Sequence, residues 1–281
     1  MNPSFRLNEA ALRHLAGAMR LDMLDMMLHA GANGAHIGGG FSAAEILACL
    51  YGGVMNVSPE RTEDPERDRF ILSKGHTALA LYAALCETGF LTREEMMRFE
   101  DNGCHLATHC YRDLAKGIEI SSGSLGLGLS YGAGAAVAAK RDGRGYDCFV
   151  LLGDGECNEG SVWEAAQAAA RFQLDNLIAI VDVNRQSLDG FTEDVMPIHS
   201  FKTVFEGFGW DALEADGNDV ASLQNAFASV SRNGKPTVIL AQTAKGKGVS
   251  FMENIVGWHH ASLTQEQYDA ARRELEEAYG I

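Results

Sequence analysis

The sequence predicts an α/β fold in which helices cover both faces of a doubly wound, mostly parallel sheet. The clearest evidence is two short apolar runs, at 148–152 and 177–181, that are separated by a segment of helical length. A strand, a helix and a second strand in this order form a right-handed βαβ unit with parallel strands. Two further apolar runs, at 70–72 and 238–240, each lie next to a helical segment and extend the same pattern.

The elements before this unit follow from apolar spacing and from turn residues. Residues 8–31 predict a helix because their apolar side chains recur at a helical period: Leu12, Leu15, Met19, Met23, Met26 and Met27. Residues 42–51 open with a serine N-cap and carry Glu45 three positions later, a capping box that predicts another helix. Polar residues 56–69 predict a surface loop, and a helix is predicted over about 77–88.

The second half of the chain is richer in glycine. Residues 101–125 show no clear periodicity, whereas glycine- and alanine-rich residues 126–140 predict a closely packed helix that is buried nearly all round. Helices are predicted over 159–172 and about 219–231, and the last twenty residues predict a charged helix with a solvated face. Because no repeat, low-complexity tract or linker is found, the sequence predicts one domain over residues 1–281.

Composition narrows the class of protein. Apolar residues make up 46% of the chain and charged residues 22%, which is typical of folded globular proteins. The formal net charge of −15 disfavours binding to nucleic acid, whose phosphates would be repelled. No apolar run is long enough to cross a bilayer, and the N-terminus lacks a signal-peptide pattern. With six cysteines and no Cys-x-x-Cys pair, the sequence predicts a reduced, cytoplasmic protein.

One polar residue follows each strand of the βαβ unit. Asp154 lies in a Gly-Asp-Gly turn after the first strand, and Asn184 follows the second. Ligands of open parallel sheets bind in the crevice outside the carboxyl ends of the strands. Carboxylate and amide oxygens suit Mg²⁺, whose other ligands are commonly phosphate oxygens and water. The alternative is a glycine turn in which the aspartate caps a helix and the asparagine serves as a turn residue.

The segment from residue 153 to residue 184 resembles the thiamine-diphosphate motif of transketolases. Four other blocks resemble the same family in the same order, at residues 34–39, 68–76, 117–126 and 243–248. The resemblance covers nearly the whole chain, but only the first, diphosphate-binding domain of a full-length transketolase. It implies a thiamine-diphosphate-binding fold, with thiamine diphosphate and Mg²⁺ (or Ca²⁺ or Mn²⁺) as cofactors. It also implies transfer of a two-carbon ketol unit from a ketose to an aldose.

The resemblance also implies most of the site. The implied metal ligands are Asp154, Asn184 and the backbone carbonyl of Gln186. The implied cofactor contacts are His76, Gly123, Leu125, Gly155 and Asn184. The implied catalytic residues are His36, His109 and His259 around the reacting carbon and the sugar hydroxyls, and Glu159 at a subunit interface near the cofactor. Several imidazoles in one cleft suit proton transfer near neutral pH.

Lys245 is a further cofactor-binding candidate, because lysines that alternate with glycines could neutralise diphosphate charge. A solvated loop is the alternative for this segment.

Two positions depart from the family pattern. The family usually has Gly-His-Pro where this chain has Thr-His-Cys around His109, and His-Gly where this chain has His259 followed by His260. His109 is preferred over His105 because it lies eight residues before Gly117, a spacing similar to that of the family.

These departures leave two alternatives open. Residues 104–110 hold two histidines and two cysteines, so a zinc site is the alternative there. His260 either alters which substrate fits or faces solvent.

The resemblance further implies a partner. No later segment resembles the second domain, on which the cofactor's pyrimidine rests, so the sequence predicts the N-terminal subunit of a split transketolase. A separate pyrimidine-binding, C-terminal subunit would complete the site. Because this chain is also expected to self-associate, the predicted assembly is a heterotetramer with two copies of each chain. The expected substrate is a sugar or sugar phosphate. The alternatives are a 2-oxo-acid dehydrogenase alpha-type subunit, which the blocks around His36, His76 and residues 121–126 argue against, and a non-catalytic cofactor-binding scaffold subunit.

Overall fold

A five-stranded sheet lies at the centre of the computed structural model, in which residues 7–281 are described. Its strands are β1 (Arg69–Leu72), β2 (Cys148–Gly153), β3 (Leu177–Val183), β4 (Asp211–Asp216) and β5 (Thr237–Gln242). They pair in the order β1-β2-β3-β5-β4, and every pair is parallel. The predicted parallel sheet is therefore confirmed, and all four carboxyl-end crevices between neighbouring strands open at the same edge.

Helices cover both faces of this sheet, which confirms the doubly wound prediction. The helices of the described residues are α1 (Glu9–Ala30), α2 (Ile37–Ser42), α3 (Ala44–Cys49), α4 (Ala78–Glu87), α5 (Arg93–Met96), α6 (Gly128–Arg141), α7 (Gly160–Arg171), α8 (Thr192–Val195), α9 (Phe201–Gly207), α10 (Val220–Ala228) and α11 (Gln265–Tyr279). Side chains of α1, α3, α4, α10 and α11 share one apolar core, and those of α6, α7 and α9 share another.

The strands supply both cores because successive side chains of a strand point to opposite faces. In β2, Phe149 and Leu151 pack in the first core, whereas Val150 and Leu152 pack in the second. This explains why neither β2 nor β3 shows a regular alternation of polar and apolar side chains, as expected for a parallel sheet that is covered on both faces.

The predicted capping box at Ser42 is wrong. Ser42 is the last residue of α2, and its hydroxyl donates to the carbonyl of Gly39 at 3.0 Å and to the carboxylate of Asp182 at 2.6 Å. Glu45 turns inward instead and accepts two hydrogen bonds from Arg20, at 2.7 and 2.8 Å. Both residues therefore belong to buried polar contacts and not to a helix cap.

The charged terminal helix has the predicted solvated face and a buried face as well, whereas the prediction that the glycine-rich helix is buried nearly all round is wrong. Helix α11 packs against α1, buries Ala271 and Leu275, and places the Tyr279 hydroxyl 3.1 Å from Glu45. Helix α6 is buried on one face only, since Leu127 just before it and Tyr131 within it are 45% and 54% exposed. The described residues contain no helix that combines the length and hydropathy needed to cross a membrane.

The buried pair of Arg20 and Glu45 generates a stability prediction. Glu45→Gln should lower the free energy of unfolding by about 3 kcal/mol, because it leaves a fully buried guanidinium without its counter-charge. Denaturant-induced unfolding followed by circular dichroism measures this change. The matched control is Glu276→Gln, which breaks a more exposed pair with Arg272 on α11 and should change stability by less than about 0.5 kcal/mol. Equal effects of the two substitutions would contradict the assignment.

Candidate functional site

A buried ion pair lies at the carboxyl end of the sheet. Lys74, which follows β1, contacts the carboxylate of Asp182 in β3, and the two side chains are 1% and 0% exposed. Asp182 also accepts hydrogen bonds from Ser42, from Thr243 after β5, and from the Asn184 amide at 3.2 Å. Burial alone would raise the pKa of Asp182, but Lys74 and the hydroxyl donors hold it below its ordinary value. Asp182 therefore remains ionised inside the protein.

Asp154 joins the loop after β2 to the loop after β3. Its two carboxylate oxygens accept hydrogen bonds from the backbone N–H groups of Gly155 at 2.8 Å and Arg185 at 2.6 Å. The side-chain oxygen of Asn184 accepts from the backbone N–H of Gln186 at 3.1 Å. Burial and the negative charge of Asp182 raise the pKa of Asp154 to about 6. A cation bound at Asp154 would reverse this shift, because it stabilises the carboxylate form.

These residues fit a metal that takes most of its ligands from elsewhere. Within residues 7–281, no group of three or more His, Cys, Asp or Glu side chains is arranged to hold a metal ion. Asp154 would be the one carboxylate, with the Asn184 side-chain oxygen and the Gln186 carbonyl as neutral donors. Such a set suits Mg²⁺ that is completed by phosphate oxygens and water. The same finding gives no support to the zinc alternative at residues 104–110.

Glu156 holds the glycine turns of the site in place. Its carboxylate accepts hydrogen bonds from the backbone N–H groups of Gly126 at 2.9 Å and Gly153 at 3.0 Å, and from the hydroxyl of Ser73. It thereby connects the ends of β1 and β2 to the loop before α6. Gly155, next to it, leaves little room for a side chain, since an ideal Cβ there would lie 3.3 Å from Ser187 Cβ.

Five histidine rings gather beside this network. His36 is at the centre, with ring centroids 5.4 Å from His76, 5.5 Å from His109, 5.4 Å from His259 and 4.6 Å from His260. These rings come from four separate segments, which an antiparallel bridge between Ala35 and Ala261 helps to align. We call this group the histidine cluster.

Burial favours the neutral form of four rings of the histidine cluster, those of His36, His76, His109 and His259. Burial and the neighbouring imidazoles lower the pKa of His36 to about 3, and burial and Lys245 lower the pKa of His259 to about 4. Burial also lowers the pKa values of His76 and His109. Lys245 is itself buried beside Lys74, its pKa is lowered to about 8, and its Nζ lies 2.8 Å from His259 Nδ1. Neutral rings can each donate and accept a hydrogen bond.

The structure brings most of the predicted site residues together, but not all of them. Gly123 lies under His109, since an ideal Cβ on Gly123 would be 3.3 Å from the ring. Leu125 and Glu159 are exposed and lie outside the histidine cluster, with Glu159 beside Gly126. His105 is exposed, whereas His109 faces His36.

Sequence reasoning missed several residues of this site: Lys74, Asp182, Glu156, Thr243 and His260 as a member of the cluster. Two of them left a visible signal. Asp182 interrupts the apolar run of β3, and an isolated charge in a strand that is buried on both faces requires a partner. Lys74 stands in the same Ser-Lys-Gly-His block as His76.

Comparison with known proteins gives one family. The model of "Transketolase, thiamine diphosphate binding domain" matches residues 12–279. The chain is 44% identical over 247 residues to one subunit of the apulose-4-phosphate transketolase of Phocaeicola vulgatus, covering 88% of each chain. It is 38% identical over 266 residues to a 6-deoxy-6-sulfo-D-fructose transketolase subunit of a Clostridium species, covering 94% of this chain and 96% of the relative.

Solved structures agree with this result. A transketolase from Campylobacter jejuni superposes with a TM-score of 0.89 at 28% identity, covering 98% of this chain and 43% of that protein. A transketolase from Leishmania mexicana superposes with a TM-score of 0.86 at 26% identity, covering 96% of this chain and 41% of that protein. The chain therefore spans about two fifths of these solved proteins, although it spans most of the subunit-type relatives.

The neutral state of His36 generates a pH prediction. Below pH 6.5 the unfolded chain takes up a proton on this ring, whereas the folded protein does not until about pH 3. The free energy of unfolding should therefore fall as the pH is lowered from 6.5 towards 4, by about 1 kcal/mol per pH unit after allowance for partial solvent screening.

His36→Gln should flatten this fall in denaturant unfolding measured at several pH values. The control is His14→Gln on the exposed side of α1, which should leave the slope unchanged. An unchanged slope in His36→Gln would show that the ring takes up its proton as readily in the folded protein as in the unfolded chain.

Proposed function

Because the chain belongs to the transketolase family and matches its thiamine diphosphate binding domain, we propose that it is the cofactor-binding subunit of a two-chain transketolase. It is a transketolase-type transferase subunit. The proposed reaction moves a two-carbon ketol unit from a ketose to an aldose and needs Mg²⁺ and a partner with the pyrimidine-binding domain. The observation that carries this proposal is the placement of Asp154 and Asn184 at neighbouring strand ends, beside the histidine cluster.

The described residues fit the cofactor and its metal. When bound, thiamine diphosphate supplies a nucleophilic carbon and an electron sink for breaking a carbon–carbon bond of a ketose. Asp154, Asn184 and the Gln186 carbonyl would hold Mg²⁺. Gly155 allows close approach of the backbone to the diphosphate, and Lys245 adds positive charge nearby. The raised pKa of Asp154 is in line with this assignment, because a bound cation would stabilise the carboxylate form that burial and Asp182 disfavour.

The histidine cluster is proposed to bind sugar oxygens and to move protons. A lysine ammonium can only donate, so Nδ1 of His259 accepts from Lys245 and the ring proton is on Nε2. His259 would then donate from Nε2 to a substrate oxygen. His36, neutral at pH 7 and surrounded by four other rings, would donate or accept a hydrogen bond as the substrate requires.

Ketol transfer is favoured over 2-oxo-acid oxidation because the relatives are named as transketolase subunits. The names of those relatives specify a ketose phosphate and a sulfonated ketose, which supports a substrate with an anionic group. An anionic group also suits a histidine cluster that lies next to two lysines, Lys74 and Lys245, although the formal net charge of the whole protein is −15.

The proposed partner would cover an exposed apolar surface beside the site. Leu125 and Leu127 flank Gly126, against which Glu159 packs, and Tyr131 follows one turn later on α6. These three apolar side chains are between 37% and 54% exposed. Since several relatives are named as one subunit of a transketolase, a second chain is expected, and we propose a heterotetramer with two copies of each chain. Glu159 would lie at that interface, near the pyrimidine half of the cofactor.

The metal assignment generates a binding prediction. Asp154→Ala in the two-chain complex should weaken Mg²⁺-dependent binding of thiamine diphosphate at least about 100-fold, because it removes the one carboxylate of the proposed metal site. Isothermal titration calorimetry with and without Mg²⁺ measures this loss. Asp142→Ala, which changes an exposed aspartate after α6, is the control and should bind like the wild type. Wild-type affinity in Asp154→Ala would exclude the proposed site.

The two-chain proposal generates an activity prediction. The isolated chain should show no ketol transfer and should self-associate, and activity should appear on mixing with the pyrimidine-domain subunit. A coupled assay for ketol transfer and analytical ultracentrifugation test the two parts separately. Transfer by the pure isolated chain would contradict the two-chain proposal, and a reconstituted complex that binds cofactor without transfer would indicate the scaffold alternative. A stable monomer at micromolar concentration would contradict self-association only.

A further inference from the structure

A small space beside Gly39 is lined by polar side chains. An ideal Cβ built on Gly39 would lie 3.4 Å from the Thr77 hydroxyl oxygen, 3.6 Å from Lys74 Nζ and 3.7 Å from His76 Cδ2. Gly39 belongs to α2, and the other three residues follow β1. An ammonium, a hydroxyl and an imidazole therefore surround a space that the absence of a side chain at position 39 leaves open.

The Thr77 hydroxyl is the unexplained part of this arrangement. Thr77 is 0% exposed, and its hydroxyl oxygen has no hydrogen-bond partner among residues 7–281. Burying a hydroxyl without a partner is unfavourable, and a valine would fill the same volume without that cost. The hydroxyl is therefore best explained by a partner that the chain itself does not supply.

The surroundings indicate a negatively charged partner. Lys74 is paired with Asp182, but an ammonium has three N–H donors and can contact a further acceptor. Gly38, the preceding residue, borders the second buried lysine, since its ideal Cβ would lie 3.1 Å from Lys245 Cγ. Two consecutive glycines of α2 thus face two lysines that are 1% and 2% exposed. A buried space that is bordered by the ammonium of Lys74 and a free hydroxyl, with a second lysine close by, suits the oxygen of a phosphate group.

We propose that the Thr77 hydroxyl donates a hydrogen bond to a diphosphate oxygen of the cofactor, in the space beside Gly39. This inference rests on the proposed function, because it requires that the chain binds thiamine diphosphate. Lys74 supplies the positive charge, and the absence of a side chain on Gly39 leaves space for the oxygen. Thr77 is assigned to the diphosphate and not to the sugar because it is fully buried, whereas the substrate would enter past the exposed His260.

Binding to the two-chain complex in the presence of Mg²⁺ tests the proposal, with thiamine diphosphate and inorganic diphosphate as probes. Thr77→Val should weaken both probes roughly 10-fold or more, because a hydrogen bond to a charged acceptor is lost. Thr77→Ser keeps the hydroxyl and should stay within about 3-fold of the wild type. Unliganded Thr77→Val should unfold at no lower temperature than the wild type, whereas a merely structural role predicts a lower one.

A second variant tests the space without changing the threonine. Gly39→Ala places a methyl group at ordinary contact distance from its neighbours, so the protein should fold, but both probes should bind about 10-fold more weakly. Gly207→Ala, at the end of α9 with no atom within 4 Å of the added Cβ, is the control.

The outcomes separate the two claims. Wild-type affinity of Thr77→Val for both probes, or weaker binding of thiamine diphosphate alone, would overturn the Thr77 assignment and leave the proposed function intact. Failure of the wild-type complex to bind thiamine diphosphate would overturn the proposed function and this assignment with it.

Discussion

The charged contact between Lys74 and Asp182 determines how the rest of the site is organised. It joins the end of β1 to β3 across the intervening β2, and it recruits Ser42 from α2 and Thr243 from the end of β5. A buried pair of this kind is stable only when further hydrogen bonds satisfy both ions. Four segments of the chain must therefore take up their positions together, and these segments also carry Asn184, His36 and His76.

Glu156 and Arg20 apply the same principle at two other places. Glu156 uses both carboxylate oxygens to hold two glycine turns, at Gly153 at the end of β2 and at Gly126 before α6. The hydrogen bonds give these turns a rigidity that glycine alone would not provide. Arg20 donates to Glu45 and to the carbonyls of Phe41 and Lys247. These hydrogen bonds fix α2 and the loop of residues 243–248 relative to α1. Buried charges thus position the backbone around the site, while apolar packing forms the two layers.

Much of this architecture could be predicted from local patterns, and the exceptions have physical reasons. The apolar runs of β1, β2, β3 and β5 identify a parallel sheet, because strands covered on both faces lack polar alternation. Strand β4 has the sequence Asp-Ala-Leu-Glu-Ala-Asp and lies at the edge of the sheet, where charged side chains reach solvent, so no apolar run marks it. The capping box at Ser42 failed because a tertiary contact with Asp182 took its hydroxyl. The resemblance indicated four of the five clustered histidines, whereas His260 and the Lys74–Asp182 pair emerge only from the three-dimensional arrangement.

The bridge between Ala35 and Ala261 bears on the order in which the protein acquires its site. Contacts between residues this distant in sequence form late, because a long loop must close before they contribute. During synthesis the strand ends that hold Asp154 and Asn184 leave the ribosome well before residues 259–261. The two histidines that complete the histidine cluster are therefore synthesised after the strand ends that hold Asp154 and Asn184. The histidine cluster is thus the last part of the candidate site that the growing chain can complete.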